Sequence, residues 1–93
     1  MGNEQFDSVW DAVTDTPAEA ENMKLRSALM MALEQRITSA GLSQAQAAKL
    51  FGVTQPRVSD LLRGKINLFS VDTLINMAVA AGLRVELHIG DAA

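Results

Sequence analysis

The stretch Ser43–Lys65, SQAQAAKLFGVTQPRVSDLLRGK, constrains this chain more than any other. Its spacing predicts two short helices joined by a turn at Gly52. Ser43 stands where it caps the first helix, and Gln46, three residues on, completes a capping box. Ala47, Ala48, Leu50 and Phe51 supply the apolar side chains behind that cap. Gly52 takes a positive φ at little cost, which a tight exit from a helix needs. Thr54 is then placed to cap a second helix, with Pro56 in its first turn, where no backbone donor is lost. Val53 and Val58 lie at hydrophobic-staple positions around that cap.

The chain on either side fits a small helical domain. Thr16-Pro17-Ala18-Glu19 has the cap, the leading proline and the acidic third position of a helix start. The next glycine or proline is Gly41, so a helix from Pro17 to Ala40 is expected. Leu29, Leu33 and Ile37 repeat every four residues, with Met23, Met30 and Ala40 beside them. The repeat is clearest from Arg26 on, so the first turns should project beyond the core. Met23, Met30, Met31 and Met77 read as gap-filling core rather than a cofactor box. The second helix is expected over about Gln44–Phe51, and the third over Gln55–Arg63, ended by Gly64. Residues 66–69 should connect and cover the core. Ser70 caps a fourth helix, Val71–Ala81, with Leu74, Ile75, Ala78 and Ala81 as its buried stripe and Gly82 as its stop.

Beyond Gly82 the period changes. Leu83, Val85, Leu87 and Ile89 alternate with Arg84, Glu86 and His88, the pattern of a half-buried strand. A lone strand must pair its N–H and C=O groups with another chain or leave them to water. Pairing with the same strand of a second copy across a two-fold axis is the simplest solution, which makes Leu83, Val85, Leu87 and Ile89 the expected dimerisation residues.

At the other end, Phe6, Val9, Trp10 and Val13 form one apolar stripe at helical spacing within an acidic segment. Three readings stand. The stripe docks on its own domain or dimer mate, it binds a partner protein with Trp10 as anchor, or the segment stays disordered.

Composition bounds the class. The 93 residues make one small domain, and 48% apolar content is enough for a core. The chain has no cysteine, which excludes disulfides and Cys-based zinc sites. No apolar run approaches a membrane span, and the acidic start lacks the pattern of a signal peptide, so a cytoplasmic protein is expected. The net charge of −3 is unevenly spread. Residues 1–23 carry Glu4, Asp7, Asp11, Asp15, Glu19 and Glu21 with no base, a charge of −6. Residues 24–69 carry Lys24, Arg26, Arg36, Lys49, Arg57, Arg63 and Lys65 against Glu34 and Asp60, a charge of +5. Residues 70–93 carry −2, from Arg84 against Asp72, Glu86 and Asp91. The local field of the basic middle matters more to a polyanion than the sum. The single histidine, His88, falls on the polar face of the expected strand. No metal-ligand spacing, phosphate loop or nucleophile–base pair occurs, so no enzyme, metal or cofactor is expected.

The Ser43–Lys65 pattern resembles the helix-turn-helix of the phage-repressor and Cro-like (XRE) family. A small residue, Ala48, stands four before the turn glycine, and apolar residues stand one before it and one, six and nine after it (Phe51, Val53, Val58, Leu61). The resemblance covers about residues 26–82. It implies an all-α, lambda-repressor-like helix-turn-helix bundle, here with an N-terminal helical extension (residues 1–22), a DNA-binding domain (23–82) and a C-terminal β-strand and tail (83–93) that pairs across a dimer. The family often carries a fifth helix where this chain has the expected strand.

Carried over from the family pattern, the third helix enters the major groove of double-stranded DNA, with Gln55, Pro56, Arg57, Ser59 and Asp60 at the base edges. Gln pairs with adenine, Arg with guanine, Asp accepts from cytosine, and Pro56 offers apolar surface to a thymine methyl. Val58, Leu61 and Leu62 are expected to be buried against the second helix. A pair between Asp60 and Arg57 or Arg63 is the competing reading for Asp60. Gln44, Thr54, Arg63, Lys65 and Lys49 are the expected phosphate contacts, with Lys49 open to being a plain solvated charge. A two-fold dimer on a palindromic operator is expected.

The acidic head, the helix PAEAENMKLRSALMMAL and the segment GLRVELHI together look like antitoxins of the HigA kind. That resemblance implies a repressor of its own toxin–antitoxin operon, with a small basic RelE/HigB-like ribonuclease toxin as partner of residues 1–23. A stand-alone phage or chromosomal regulator, and an adaptor that keeps the fold without binding DNA, are the alternatives.

Overall fold

The structure, a computed structural model, describes residues 16–91. The apolar stripe Phe6, Val9, Trp10 and Val13 lies outside the described residues. Among these residues four α-helices form one bundle: α1 (Pro17–Ala40), α2 (Gln44–Phe51), α3 (Gln55–Leu62) and α4 (Val71–Ala80), with a 3-10 turn at Ile66–Leu68 between α3 and α4. Each start is set by its cap. The Thr16 hydroxyl accepts from the Glu19 N–H, and Ser70 accepts from the Thr73 N–H. Ser43 and Gln46 make both halves of a capping box, at 3.1 and 2.9 Å. Thr54 differs: it holds the cap position of α3 in extended backbone, but its side chain makes no capping bond. Ser43→Ala should therefore cost about 1 kcal/mol of stability and Thr54→Ala only a few tenths, which urea unfolding of the two variants measures.

The core is apolar throughout the described residues. Leu33, Ala47, Val58, Leu61 and Leu74 are fully enclosed, and Phe51, Phe69, Met77 and Ala78 are nearly so. Long α1 contributes Met30, Leu33 and Ile37, all from its C-terminal part, so its first turns project past the core. Phe69 closes the side between α3 and α4, which explains the apolar character of the connector.

Several expectations need correction. Met31 is 65% exposed and Leu62 40% exposed, so neither is core. Met31 sits next to Met30 on α1, and one helix face cannot bury both. Leu62 closes α3 just after buried Leu61, facing away from α2. On α4, Met77 takes the buried place expected of Ile75, which is only half-buried. The third helix ends at Leu62 and the fourth at Ala80, one residue earlier than expected in each case.

The largest departure is the C-terminal strand. Residues 83–91 have no regular secondary structure. The Leu83 N–H bonds the Ala78 carbonyl at 2.9 Å, closing α4, and from Arg84 onward no backbone group is paired among the described residues. A strand is defined by a neighbour for those groups, and among the described residues no other strand runs beside this segment. Leu83 is half-buried, whereas Leu87 and Ile89 are 79% and 81% exposed.

Candidate nucleic-acid interface

The turn between α2 and α3 places the candidate surface. Gly52 leaves α2 at φ 73°, in the left-handed region, and its N–H caps the helix on the Ala48 carbonyl. An L side chain there would be strained although space is open around the α-carbon. The next N–H, from Val53, also bonds the Ala48 carbonyl, at 3.0 Å. The chain thus reverses tightly and α3 packs on α2 through Ala47, Ala48, Phe51, Val58 and Leu61.

With Val58 and Leu61 facing inward, the other side of α3 is outward by helical geometry. Gln55 and Pro56 are exposed, and Ser59 and Asp60 are half-buried. These four share the outward side, so the polar atoms of Gln55, Ser59 and Asp60 and the apolar ring of Pro56 can meet a groove floor. Around them Gln44, Lys49, Thr54, Arg63 and Lys65 are all exposed. Gln44 opens α2, where unpaired N–H groups and the helix dipole favour a phosphate. Among the described residues the ion pairs are Lys24 with Glu21 and Arg84 with Glu86, so Asp60 has no cationic partner there. The expected competitor for Asp60, an intrahelical pair with Arg57 or Arg63, is not formed.

Arg57 is placed differently from its neighbours. Its Nη1 donates to the Leu68 carbonyl at 3.0 Å, and its guanidinium carbon sits 5.2 Å from the centroid of the Phe69 ring. In the free chain this guanidinium is engaged on the connector, and reaching a guanine edge would require it to leave the Leu68 carbonyl. Arg26 of α1 also bonds the connector, donating from Nη1 to the Ile66 carbonyl at 3.1 Å. Two arginines from separate helices thus tie down the 3-10 turn that follows α3. Arg26 was not legible as part of this surface, because its partner lies 40 residues away and no local pattern signals it. Arg57→Ala is expected to lower stability by about 1 kcal/mol and to weaken all duplexes alike, without relaxing preference at a single base. Parallel unfolding and binding titrations on matched and mismatched duplexes would show whether the loss is uniform.

Among the described residues no group of three His, Cys, Asp or Glu side chains converges to hold a metal. No described helix is long and apolar enough to cross a membrane.

Two helices locked at a left-handed glycine, the second with a buried and a polar side, define a helix-turn-helix unit. The chain matches the helix-turn-helix domain family over residues 12–90. A solved chain assigned provisionally as an XRE family transcriptional regulator is 38% identical, with a TM-score of 0.73 over 78% of this chain and 82% of that one. No curated protein sequence matches. The chain belongs to the helix-turn-helix domain family and is of its XRE type.

Proposed function

We propose that this protein is a DNA-binding transcriptional repressor that serves as the antitoxin of a type II toxin–antitoxin module, repressing its own operon and neutralising a RelE/HigB-like ribonuclease. The coarser part, a DNA-binding regulator, rests on the family and on the solved relative's description. The observation that carries it is the outward side of α3: Gln55, Pro56, Ser59 and Asp60 are solvent-accessible while Val58 and Leu61 are fully buried. In this reading Gln55, Pro56, Ser59 and Asp60 read bases, and Gln44, Thr54, Lys49, Arg63 and Lys65 hold phosphates. Arg57 keeps the end of α3 in register with the connector.

The finer part is supported by charge. Residues 1–23 carry −6 and the stripe Phe6, Val9, Trp10 and Val13, a combination suited to a small basic protein. The stand-alone regulator is the second reading, favoured by the solved relative's description. Copurification with a small basic polypeptide supports the antitoxin; a chain recovered alone and active on its operator supports the regulator.

The binding test is a titration on duplex DNA at several salt concentrations. Each neutralised phosphate contributes about 0.9 to the slope of log affinity against log salt. Lys65→Ala should weaken binding to all sequences and flatten that slope by about 1 per bound copy. A slope unchanged by Lys65→Ala would remove Lys65 from the phosphate set. Absence of any salt-dependent binding would favour the adaptor.

A further inference from the structure

An apolar groove of about 580 Å³ runs between α1 and α4. Leu25, Ala28 and Leu29 of α1 line one side, and Val71, Ile75 and Val79 of α4 line the other. Leu25 is 50% exposed and Val79 60%, so the described residues leave this face to water. No lining residue comes from α2 or α3, so an occupant leaves the candidate DNA surface free. The groove also has a direction. Val71 lies near Ala18 and Asn22 at the head of α1, and Leu83, just past α4, lies near Ser39 at its foot. The two helices therefore run in the same sense, and the channel between them has its near end toward Thr16. Leu25 stands nine residues after Thr16, about 14 Å along α1.

The sequence before Thr16 carries what such a channel needs. Phe6, Val9, Trp10 and Val13 recur at helical spacing, and Glu4, Asp7 and Asp11 fall on the opposite side of the same helical wheel. A helix with that distribution buries its apolar stripe without taking a carboxylate out of water. Residues 14 and 15 suffice for the short link that joins antiparallel helices. A helix ending at Val13 and rising about 1.5 Å per residue then runs back along α1, with Trp10 at Leu25 and Phe6 toward Ala28 and Val79.

We propose that residues 1–15 of the same chain occupy this groove as a short helix antiparallel to α1, with Trp10 seated between Leu25 and Ile75. A helix this short is marginal alone, and the groove supplies the packing it lacks. The tether decides between this segment and the same segment of another copy. A short linker holds its ligand at an effective concentration on the order of millimolar, well above that of a second copy in dilute solution. A docked stripe is hidden from other proteins, so any partner that takes hold of Trp10 competes with the groove. The proposal rests neither on DNA recognition nor on the antitoxin reading.

The test uses the full chain without DNA or partner. Trp10 is the single tryptophan and the chain has no tyrosine, so its fluorescence reports on this segment alone. In the full chain Trp10 should emit at shorter wavelength, and be quenched by acrylamide several-fold more slowly, than in a synthetic peptide of residues 1–15. Val79→Lys places a charge in the groove and should shift docking at least about 10-fold toward the undocked form, raising quenching toward that of the peptide. Leu25→Lys, on the opposite wall, should act alike. Met31→Lys, on α1 but outside the groove lining, should leave Trp10 shielded. All three side chains are exposed, so the four described helices should persist, which circular dichroism checks. A Trp10 as open to quencher as in the peptide would overturn the proposal. Shielding untouched by Val79→Lys and Leu25→Lys would place the segment elsewhere and overturn the assignment of the groove. Shielding lost on about 100-fold dilution would mean that a second copy supplies the segment, and would overturn docking within one chain.

Discussion

Leu61→Ala is expected to cost about 3–5 kcal/mol, among the largest losses of any single truncation at the α2–α3 junction. Leu61 is fully buried and belongs to the cluster that joins α3 to α2 and α1. Removing three carbons there leaves a cavity at the meeting point of three helices, which can relax only in part. A domain of this size holds roughly 4–11 kcal/mol in total, so the variant should sit near the edge of folding. Thermal unfolding should shift down by more than about 12 °C. Because Leu61 is one of the two fully buried residues that hold α3 on the core, with Val58, duplex binding should fall in step with folding. An unshifted melting curve would mean that Leu61 does not anchor α3.

Gln55→Ala should behave in the opposite way. Gln55 is exposed at the first position of α3 and makes no side-chain hydrogen bond among the described residues, so stability should stay within about 0.5 kcal/mol of the parent. Operator affinity should fall about 5- to 150-fold, corresponding to about 1–3 kcal/mol for one lost bidentate base contact. The loss should concentrate at one base pair of each half-site. Affinity measured on the operator and on single-base variants separates this from a general weakening. The contrast between Leu61, which matters for stability, and Gln55, which matters for affinity, follows from their positions on two sides of one eight-residue helix.

Helix limits were legible because they are written in local chemistry. Ser43, Gln46 and Ser70 make the bonds their spacing predicts, and the stop glycines Gly41 and Gly52 both take left-handed backbone. The buried side of α2 and α3 followed from the same periodicity, which is why Val58 and Leu61 could be told from Gln55 and Ser59. What the pattern could not carry was tertiary. Arg57 reads as one more exposed cation on a recognition helix, yet an aromatic ring and a carbonyl eleven residues on capture it. Met31 and Leu62 are apolar and stand next to core residues, and only the packing angle of the helices reveals that each turns outward. Thr54 has the right residue type and backbone for a cap but makes no bond, so residue preference and bond formation part company there. The alternation over Leu83–Ile89 is a property of the sequence, whereas a strand is a property of a pair, and one chain offers only half of it.

The candidate site was legible to the same degree. Its exposed members on α3 follow from a helical wheel. The ties from Arg26 and Arg57 to the connector do not, because each joins residues far apart in the chain. Both ties act on the segment that ends α3, so they fix how the outward side is presented rather than what it reads.

The central claim is that the outward side of α3 recognises a DNA sequence. Its most direct measurement is selection of duplexes from a random pool by the purified chain, followed by sequencing of what is retained. The account predicts enrichment of one short motif, arranged as inverted half-sites whose centres lie about 34–36 Å apart or a multiple of that, and loss of part of the motif with Gln55→Ala. A pool that emerges unenriched, or a motif untouched by substitutions at Gln55, Ser59 and Asp60, would contradict it.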